Sequence, residues 1–319
     1  MQLLSNEQVA FLYGFKAALR SKNKEKFIIL LGYTHGVENH TEWHWELIED
    51  TTELSTREEK AIAKNRLDKI RRQVNISWGR TVNSSYERFF GRGKLSDTLC
   101  KKKVLIIGAG AIGSSLANIL VRGGLRVLSL ADSDIVEPGN ICRSSLRYTW
   151  SGKSKVDDLT NSLIQASPFI NILPLNLNIG PCLPTEGRYS DMRKVIDTFD
   201  LIFDCSTDKY LHHTFDLMDL GHKVVNLSVN DGATAFVCVA GVRHIAYQKS
   251  IIYSRWSDNA EPFYVGTGCY HSTFRASFAE INAKLNLAVS KIDRQIEEDV
   301  GLASFIIQEN EEGLQIERP

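Results

Sequence analysis

The sequence predicts an α/β fold, with a Rossmann-like, doubly wound and mostly parallel sheet preceded by a small N-terminal domain. An apolar strand at 104–107 runs into a glycine-rich turn and then a helix. From residue 103 onward, strand patterns alternate with helix patterns, as a parallel sheet requires. Residues 1–80 lack that alternation, so we divide the chain into a small accessory domain at 1–80 and a second, α/β domain at 81–319.

The N-terminal domain reads as a small α/β or α+β unit. An amphipathic helix at about 6–20 precedes two strand patterns, Phe27–Leu31 and Trp43–Ile48. Ser55 and Glu58 then form a plausible capping box for a second helix. The pattern identifies neither the partner nor the purpose of this unit, and a docking module for a partner protein is one role open to it.

Alternating elements continue after the first strand. The predicted strands lie within 125–134, 169–179, 200–206 and 223–241 (two strands), the helices within 111–123, 153–167 and 274–298, and a closing hairpin within 304–318. The last helix carries an apolar stripe, expected to face the core or a dimer interface, at Phe278, Ile281, Leu285, Ala288, Ile292 and Ile296.

Composition excludes several classes of function. The chain has 38 basic residues (lysine and arginine) and 38 acidic residues (aspartate and glutamate). This balanced charge argues against a protein that binds nucleic acid or a membrane surface. No apolar run is long enough to cross a membrane, and the N-terminus lacks the features of a signal peptide. The six cysteines form no CxxC pair, so we predict no zinc site and a reducing, cytoplasmic location.

A GxGxxG motif, Gly108, Gly110 and Gly113, lies between the first strand and its helix. The first glycine allows a tight turn, the second allows a phosphate to approach, and the third allows close packing of helix on strand. The free N–H groups of a helix N-terminus favour an anion. Asp132, at the end of the next strand, is suited to ribose hydroxyls, so the motif predicts nucleotide binding.

Further polar residues favour ATP over a nicotinamide cofactor. Asp134, Asn140, Arg143 and Lys155 follow the second strand in that order, with Lys153 as the rival to Lys155. Arginine and lysine can neutralise the charge of three phosphates, and asparagine can bind an oxygen without adding charge. A nicotinamide-dependent dehydrogenase has no evident need for this set and remains the weaker alternative.

The glycine loop together with D-S-D-I-V-E-P-G-N-I-C-R and G-K-S-K resembles the ThiF/MoeB/HesA superfamily, which includes the ubiquitin-activating enzymes. The resemblance covers about residues 84–300. Upstream, Tyr86 and Arg88 resemble a family segment whose arginine reaches the ATP of the other subunit in a dimer. The resemblance therefore implies a homodimer in which Arg88 is catalytic.

The segment from Asp204 to Asp208 resembles the family's magnesium-binding motif, but contains one extra residue, and Lys209 stands where asparagine is usual. Either aspartate could be the ligand. We favour Asp208, because Asp204 lies closer to the apolar strand, although Asp208 could instead cap a helix.

The resemblance implies Mg·ATP-dependent adenylation of the C-terminal carboxylate of a ubiquitin-like protein. Cys205 and Cys238 lie in apolar strand patterns, and Cys142 lies inside the nucleotide motif. Cys269, beside His271 and Arg275, is the candidate nucleophile for a thioester before transfer to a conjugating partner, with a buried structural thiol as the alternative. Activation of a peptide or a sulfur carrier, or an inactive scaffold, also remains open.

Overall fold

The computed structural model describes residues 85–206, 208–230, 233–259 and 276–319, and only the backbone at 257–259. The elements predicted within residues 1–80, and Cys269, lie outside these ranges. By its internal contacts the chain divides into two compact units, Met1–Gly91 and Arg92–Pro319. The predicted domain boundary at residue 80 stays a prediction.

The described part of the first unit contains one short helix, α1 (Tyr86–Phe89). The Ser85 side chain caps it by accepting a hydrogen bond from the Arg88 backbone N–H at 3.3 Å. Tyr86 and Phe90 are buried, and their ring centroids lie 4.8 Å apart.

The second unit is an α/β sandwich around one mixed sheet. Its strands are β1 (Lys103–Ile107), β2 (Val127–Ala131), β3 (Asn171–Leu175), β4 (Leu201–Asp204), β5 (Val224–Val229), β6 (Ala235–Ala240), β7 (Phe305–Asn310) and β8 (Gly313–Glu317). Its α-helices are α2 (Asp97–Cys100), α3 (Ala111–Arg122), α4 (Lys155–Ala166), α5 (Gly187–Ile196), α6 (Leu211–Leu217), α7 (Ile245–Tyr253) and α8 (Phe278–Glu297). Short 3₁₀ helices lie at Pro138–Arg143, Tyr148–Trp150 and Ser254–Asn259.

The strand order in the sheet is β3-β2-β1-β4-β5-β6-β7-β8. The five strands from β3 to β5 are parallel, and β6, β7 and β8 continue the sheet in antiparallel pairs. This order confirms the predicted α/β class and the closing hairpin. The chain leaves β1 in one direction, through β2 and β3, and returns on the other side to β4, which makes a topological switch point between β1 and β4.

Helices cover both faces of the sheet, as a doubly wound fold requires. Val104 and Ile106 of β1 join a core cluster with residues of α3, α4 and α8, whereas Leu105 and Ile107 join a second cluster with residues of α5, α6 and α7. The alternation follows from the two-residue period of a strand. Because both faces of β1 are buried, its carboxyl end is the part of the strand left to line a site.

The apolar stripe on α8 is core at four of its six predicted positions: Ile281, Leu285, Ala288 and Ile292 are at most 1% exposed. Phe278 is the first residue of the helix and is 43% exposed. The helix begins there because Ser277 and Glu280 form a capping box. Within the described ranges, no helix has both the length and the apolar character needed to cross a bilayer.

Candidate nucleotide-binding site

The three glycines between β1 and α3 have distinct surroundings. Gly108 has φ +88°, and a Cβ there would lie 2.9 Å from the carbonyl oxygen of Cys205. A Cβ on Gly113 would lie 1.8 Å from the carbonyl oxygen of Gly108, so the helix packs directly on the turn. Gly110 has open space, with no heavy atom within 4 Å of its would-be Cβ. This arrangement agrees with the predicted tight turn, close packing and open approach.

Gly110 is also the N-cap residue of α3 and provides no side-chain hydrogen bond to the first turn. The backbone N–H groups at a helix start have no partner within the helix. An anion placed at the open side of Gly110 can accept from them and gain from the helix dipole.

Asp132 braces the glycine turn from the end of β2. Its Oδ2 accepts from the Ala109 backbone N–H at 2.7 Å, and its Oδ1 accepts from the Asp134 backbone N–H at 2.8 Å. The Gly108 N–H donates to the Ala131 carbonyl at 2.8 Å. This bracing role was not anticipated from the sequence. A carboxylate oxygen has two lone pairs, so the half-buried Asp132 keeps capacity to accept from ribose hydroxyls.

Lys155, the first residue of α4, is paired with Asp134. Its Nζ lies 2.8 Å from Asp134 Oδ2, and its backbone N–H donates to the Asp134 carbonyl at 3.0 Å. The Lys155 side chain is 11% exposed, whereas that of Asp134 is 68% exposed. Lys153 instead is exposed, with Nζ 5.1 Å from the centroid of the Trp150 ring. The geometry therefore favours Lys155 over its rival.

Asn140 and Arg143 lie on the 3₁₀ helix Pro138–Arg143. Asn140 is 8% exposed, and its Oδ1 accepts from the Glu137 backbone N–H at 3.1 Å. This contact shows that Asn140 shapes its own turn. Just beyond the half-buried Arg143, the Ser145 N–H donates to Ser114 Oγ at 3.0 Å and ties the segment to α3.

The two aspartates after β4 have different surroundings. Asp204 is fully buried, and both carboxylate oxygens already accept hydrogen bonds, Oδ1 from Ser206 and Oδ2 from His212 and Asn226. Asp208 is half-buried, and its Oδ1 accepts from the Tyr210 backbone N–H at 2.9 Å. Asp208 thus makes a local turn contact just before α6 and is the better placed of the two to bind a further group.

For Arg88 and Cys269, the catalytic role stays a prediction. Arg88 lies on α1, in the first compact unit, so its role in a dimer stays a prediction. Cys269 lies outside the described residues. Of the remaining cysteines, Cys238 is fully buried as predicted, and burial raises the pKa of its thiol. Burial and the adjacent Asp204 carboxylate also raise the pKa of Cys205, a half-buried residue packed against the core.

The carboxyl ends of neighbouring parallel strands meet at one edge of the sheet. Ile107 pairs with Ala131 on one side and with Asp204 on the other. Gly108, Asp132 and Cys205 therefore begin their loops side by side at the switch point, where ligands bind in open α/β sheets. The edge combines an open helix N-terminus, a braced turn and a lysine held by a carboxylate, which suits a phosphate-bearing ligand.

Comparison with known proteins agrees with this geometry. The chain is 27% identical to the ATP-dependent ubiquitin transferase-like protein Cap2 from Enterobacter hormaechei subsp. hoffmannii over 216 residues, 64% of this chain and 34% of that protein. It is 29% identical to the adenylyltransferase and sulfurtransferase UBA4 from Candida glabrata over 133 residues, 41% of this chain and 29% of that protein. The chain thus spans about a third of the length of these two relatives.

Among solved structures, the fold is similar to that of E. coli MccB, with a TM-score of 0.50 and 19% identity over 74% of this chain and 72% of that one. The sequence matches the ThiF family over residues 84–280, more than half of its 319 residues. This match includes the glycine turn, Asp132, Asp134, Lys155 and Asp208, and the chain belongs to the ThiF family.

Proposed function

We propose that the chain is an ATP-dependent adenylyltransferase that activates the C-terminal carboxylate of a ubiquitin-like protein. One observation carries the proposal: Asp132 braces the open Gly110 turn at the switch point, and a nearly buried Lys155 pairs with Asp134, two residues further along the chain. The names of Cap2 and UBA4, an ATP-dependent ubiquitin transferase-like protein and an adenylyltransferase, support the same class of activity.

The reaction joins a carboxylate to the α-phosphate of ATP. A carboxylate oxygen of the substrate attacks the α-phosphorus, the bond from that phosphorus to the bridging oxygen breaks, and pyrophosphate leaves with the bond electrons. The products are an acyl-adenylate and pyrophosphate. Because the substrate carboxylate is already ionised, the step needs no general base. Catalysis then depends on positioning and on stabilising the charge that develops on the phosphate oxygens.

Lys155 and Arg143 are the cations assigned to that charge. Lys155 is held at 2.8 Å by Asp134 and is nearly buried, so its position is set before the nucleotide arrives. An oriented cation needs little rearrangement during the reaction, which is the basis of electrostatic catalysis. In the same proposal, Asn140 orients a phosphate or ribose oxygen, and Arg88 of one subunit reaches the ATP bound to the other subunit of a homodimer.

Asp208 fits the role of a magnesium ligand. Mg²⁺ is usually bound through one or two carboxylates and the substrate phosphates. Within the described ranges, no group of three histidine, cysteine, aspartate or glutamate residues forms a metal site of protein ligands alone. Asp208 offers one such carboxylate, which is half-buried and accepts from the Tyr210 backbone N–H through Oδ1. When bound, the ion would neutralise part of the phosphate charge.

Transfer to a cysteine would follow adenylation. The thiolate of Cys269 attacks the acyl carbon, the bond to the AMP oxygen breaks, and AMP leaves as a thioester forms. A conjugating partner would then receive the acyl group. This part of the proposal rests on the sequence around Cys269.

ATP–pyrophosphate exchange tests the proposal. The purified chain is incubated with labelled pyrophosphate, ATP and Mg²⁺, together with ubiquitin-like proteins that end in glycine. Exchange that requires one of these proteins is the expected result. If exchange requires a short peptide instead, the substrate is a peptide and not a ubiquitin-like protein. If the chain binds ATP but shows no exchange with any partner, the result favours an inactive scaffold. Absence of ATP binding would refute the proposed function altogether.

A further inference from the structure

A buried carboxylate–imidazole pair lies at the carboxyl end of β4. His212 Nε2 is 2.7 Å from Asp204 Oδ2, and the two side chains are 2% and 0% exposed. Asn226 Nδ2 donates to the same Oδ2 at 3.0 Å, while Ser206 donates to Oδ1 through its backbone N–H at 3.0 Å and its Oγ at 2.7 Å. Four donors thus surround one carboxylate.

The charge state of the pair follows from these contacts. Burial by itself raises the pKa of Asp204. The hydrogen bonds from His212 and Ser206, together with the nearby ammonium group of Lys249, bring that pKa below its ordinary value. The carboxylate is therefore ionised and can only accept, so Nε2 of His212 carries a proton and donates it. Removing one donor would leave a buried charge short of a partner, which is destabilising.

These contacts close a ring around the turn between β4 and α6. Ser206 Oγ donates to Asp204 and accepts from the Asp208 backbone N–H at 3.4 Å. The Asp208 carbonyl then accepts from the Leu211 N–H at 3.3 Å, and Leu211 is the residue before His212 on α6. The Asp208 backbone is therefore bonded on one side to Ser206, which bonds Asp204, and on the other side to Leu211, the chain neighbour of His212.

The same pair also supports the glycine turn. The Cys205 N–H donates to the Ile107 carbonyl at 2.8 Å, and the Cys205 carbonyl lies against Gly108, where a Cβ would be only 2.9 Å away. Asn226 Nδ2 reaches the Asp204 carbonyl at 3.1 Å as well. A shift of the Asp204 backbone would therefore move the surface on which Gly108 rests.

We propose that His212 is a positioning residue of the nucleotide site, which holds the buried Asp204 carboxylate and thereby fixes Asp208 for the magnesium of Mg·ATP. The inference rests on the proposed function and deepens it. A residue that orients a metal ligand typically contributes about 10–100-fold to metal affinity when tested by mutation. A purely structural role would lower stability without changing how ATP affinity depends on magnesium.

The test is calorimetric titration of the full chain with ATP, in excess Mg²⁺ and again in EDTA, alongside thermal unfolding. His212→Leu removes the imidazole that donates to Asp204. Ser206→Ala removes another donor to Asp204 at a half-buried residue, and serves if His212→Leu does not fold. Thr214→Val is the matched control. Thr214 is a buried polar residue of the same helix, but its hydroxyl bonds the backbone of Cys182 and not Asp204.

In the wild type, Mg²⁺ should strengthen ATP binding. In His212→Leu and Ser206→Ala we expect that gain, taken as the ratio of the affinities in Mg²⁺ and in EDTA, to fall by about tenfold. His212→Gln, which retains an N–H donor, should restore part of the gain. Thr214→Val should lose stability and keep the full gain.

Two outcomes overturn the inference alone: wild-type ATP binding that does not depend on Mg²⁺, or an unchanged magnesium gain in the folded variants. Failure of the wild type to bind ATP at all would overturn both this inference and the proposed function.

Discussion

Alanine substitutions at Gly110 and Gly113 should separate ligand binding from folding. The two residues belong to one motif, but only Gly113 is packed against backbone. A Cβ at Gly113 would lie 1.8 Å from the Gly108 carbonyl oxygen, far inside the roughly 3.5–4 Å of an ordinary contact, whereas a Cβ at Gly110 would meet nothing within 4 Å. Gly113→Ala must therefore displace α3 or the turn, and Gly110→Ala need not.

The stability effects can be worked out for each variant. Overpacking of this kind costs about 1–3 kcal/mol, and the short distance at Gly113 places it at the upper end. For a unit of this size, each kcal/mol lowers Tm by about 2–4 °C, so Gly113→Ala should lose about 6–12 °C. At Gly110, the poorer capping by alanine opposes a gain of about 0.4–1 kcal/mol from a less flexible unfolded chain. Its Tm should stay within about 4 °C of wild type.

Calorimetric titration with Mg·ATP and thermal unfolding measure the two effects on the same samples. If a phosphate approaches the open side of Gly110, the added methyl group should weaken ATP binding by about tenfold or more, equal to about 1.4 kcal/mol. Wild-type ATP affinity in Gly110→Ala would show that no phosphate approaches this turn. A wild-type Tm in Gly113→Ala would refute the packing argument.

Three other predictions concern charge and chemistry. Lys155→Ala should lower pyrophosphate exchange by about 10²-fold, while Lys153→Ala, the matched control on the Trp150 ring, should stay near wild type; equal loss in both would contradict the assignment. Cys269→Ala should keep exchange but lose any thioester that a reducing agent cleaves, and a thioester retained in that variant would exclude this cysteine. Burial lowers the pKa of Lys249, and the Asp204 carboxylate partly opposes this shift. At a pH below its folded pKa, the buried ammonium therefore lowers the free energy of unfolding, and this penalty disappears as the pH rises toward 10.5, the value in the unfolded chain. The stability advantage of Lys249→Met in urea unfolding should therefore shrink between pH 7 and 10.5, and a constant difference would refute the argument.

Local patterns were enough to predict the parallel half of the sheet and the glycine turn. The roles of Gly108, Gly110 and Gly113 follow from residue type and spacing around one turn, so the sequence carries the information directly. The direction of β6 relative to β5 could not be read in this way, because strand pairing depends on contacts across the sheet. Helices α5, α6 and α7 were missed, since α6 has only seven residues and α5 buries only Ile196.

Paired polar residues in the core were also invisible in the sequence. Asp158 lies in a helix pattern that looks exposed, yet it is fully buried and bonded by Arg147 Nε at 2.6 Å. Asp132 was assigned to ribose, but its contact with Ala109 arises only because β1 and β2 lie side by side. His212 lies eight residues from Asp204, and only the return of α6 toward the end of β4 brings the two together.

The antiparallel part of the sheet has a consequence for how the chain folds. Strand β6 is buried along its whole length, and its outer edge is covered by β7, with Cys238 opposite Phe305. Until the ribosome has released residues near 305, that apolar edge has no partner, and open edges of this kind template aggregation. Pairings between segments so distant in sequence also form slowly. The newly made protein should therefore depend most on chaperone protection in the interval between the synthesis of β6 and that of β7.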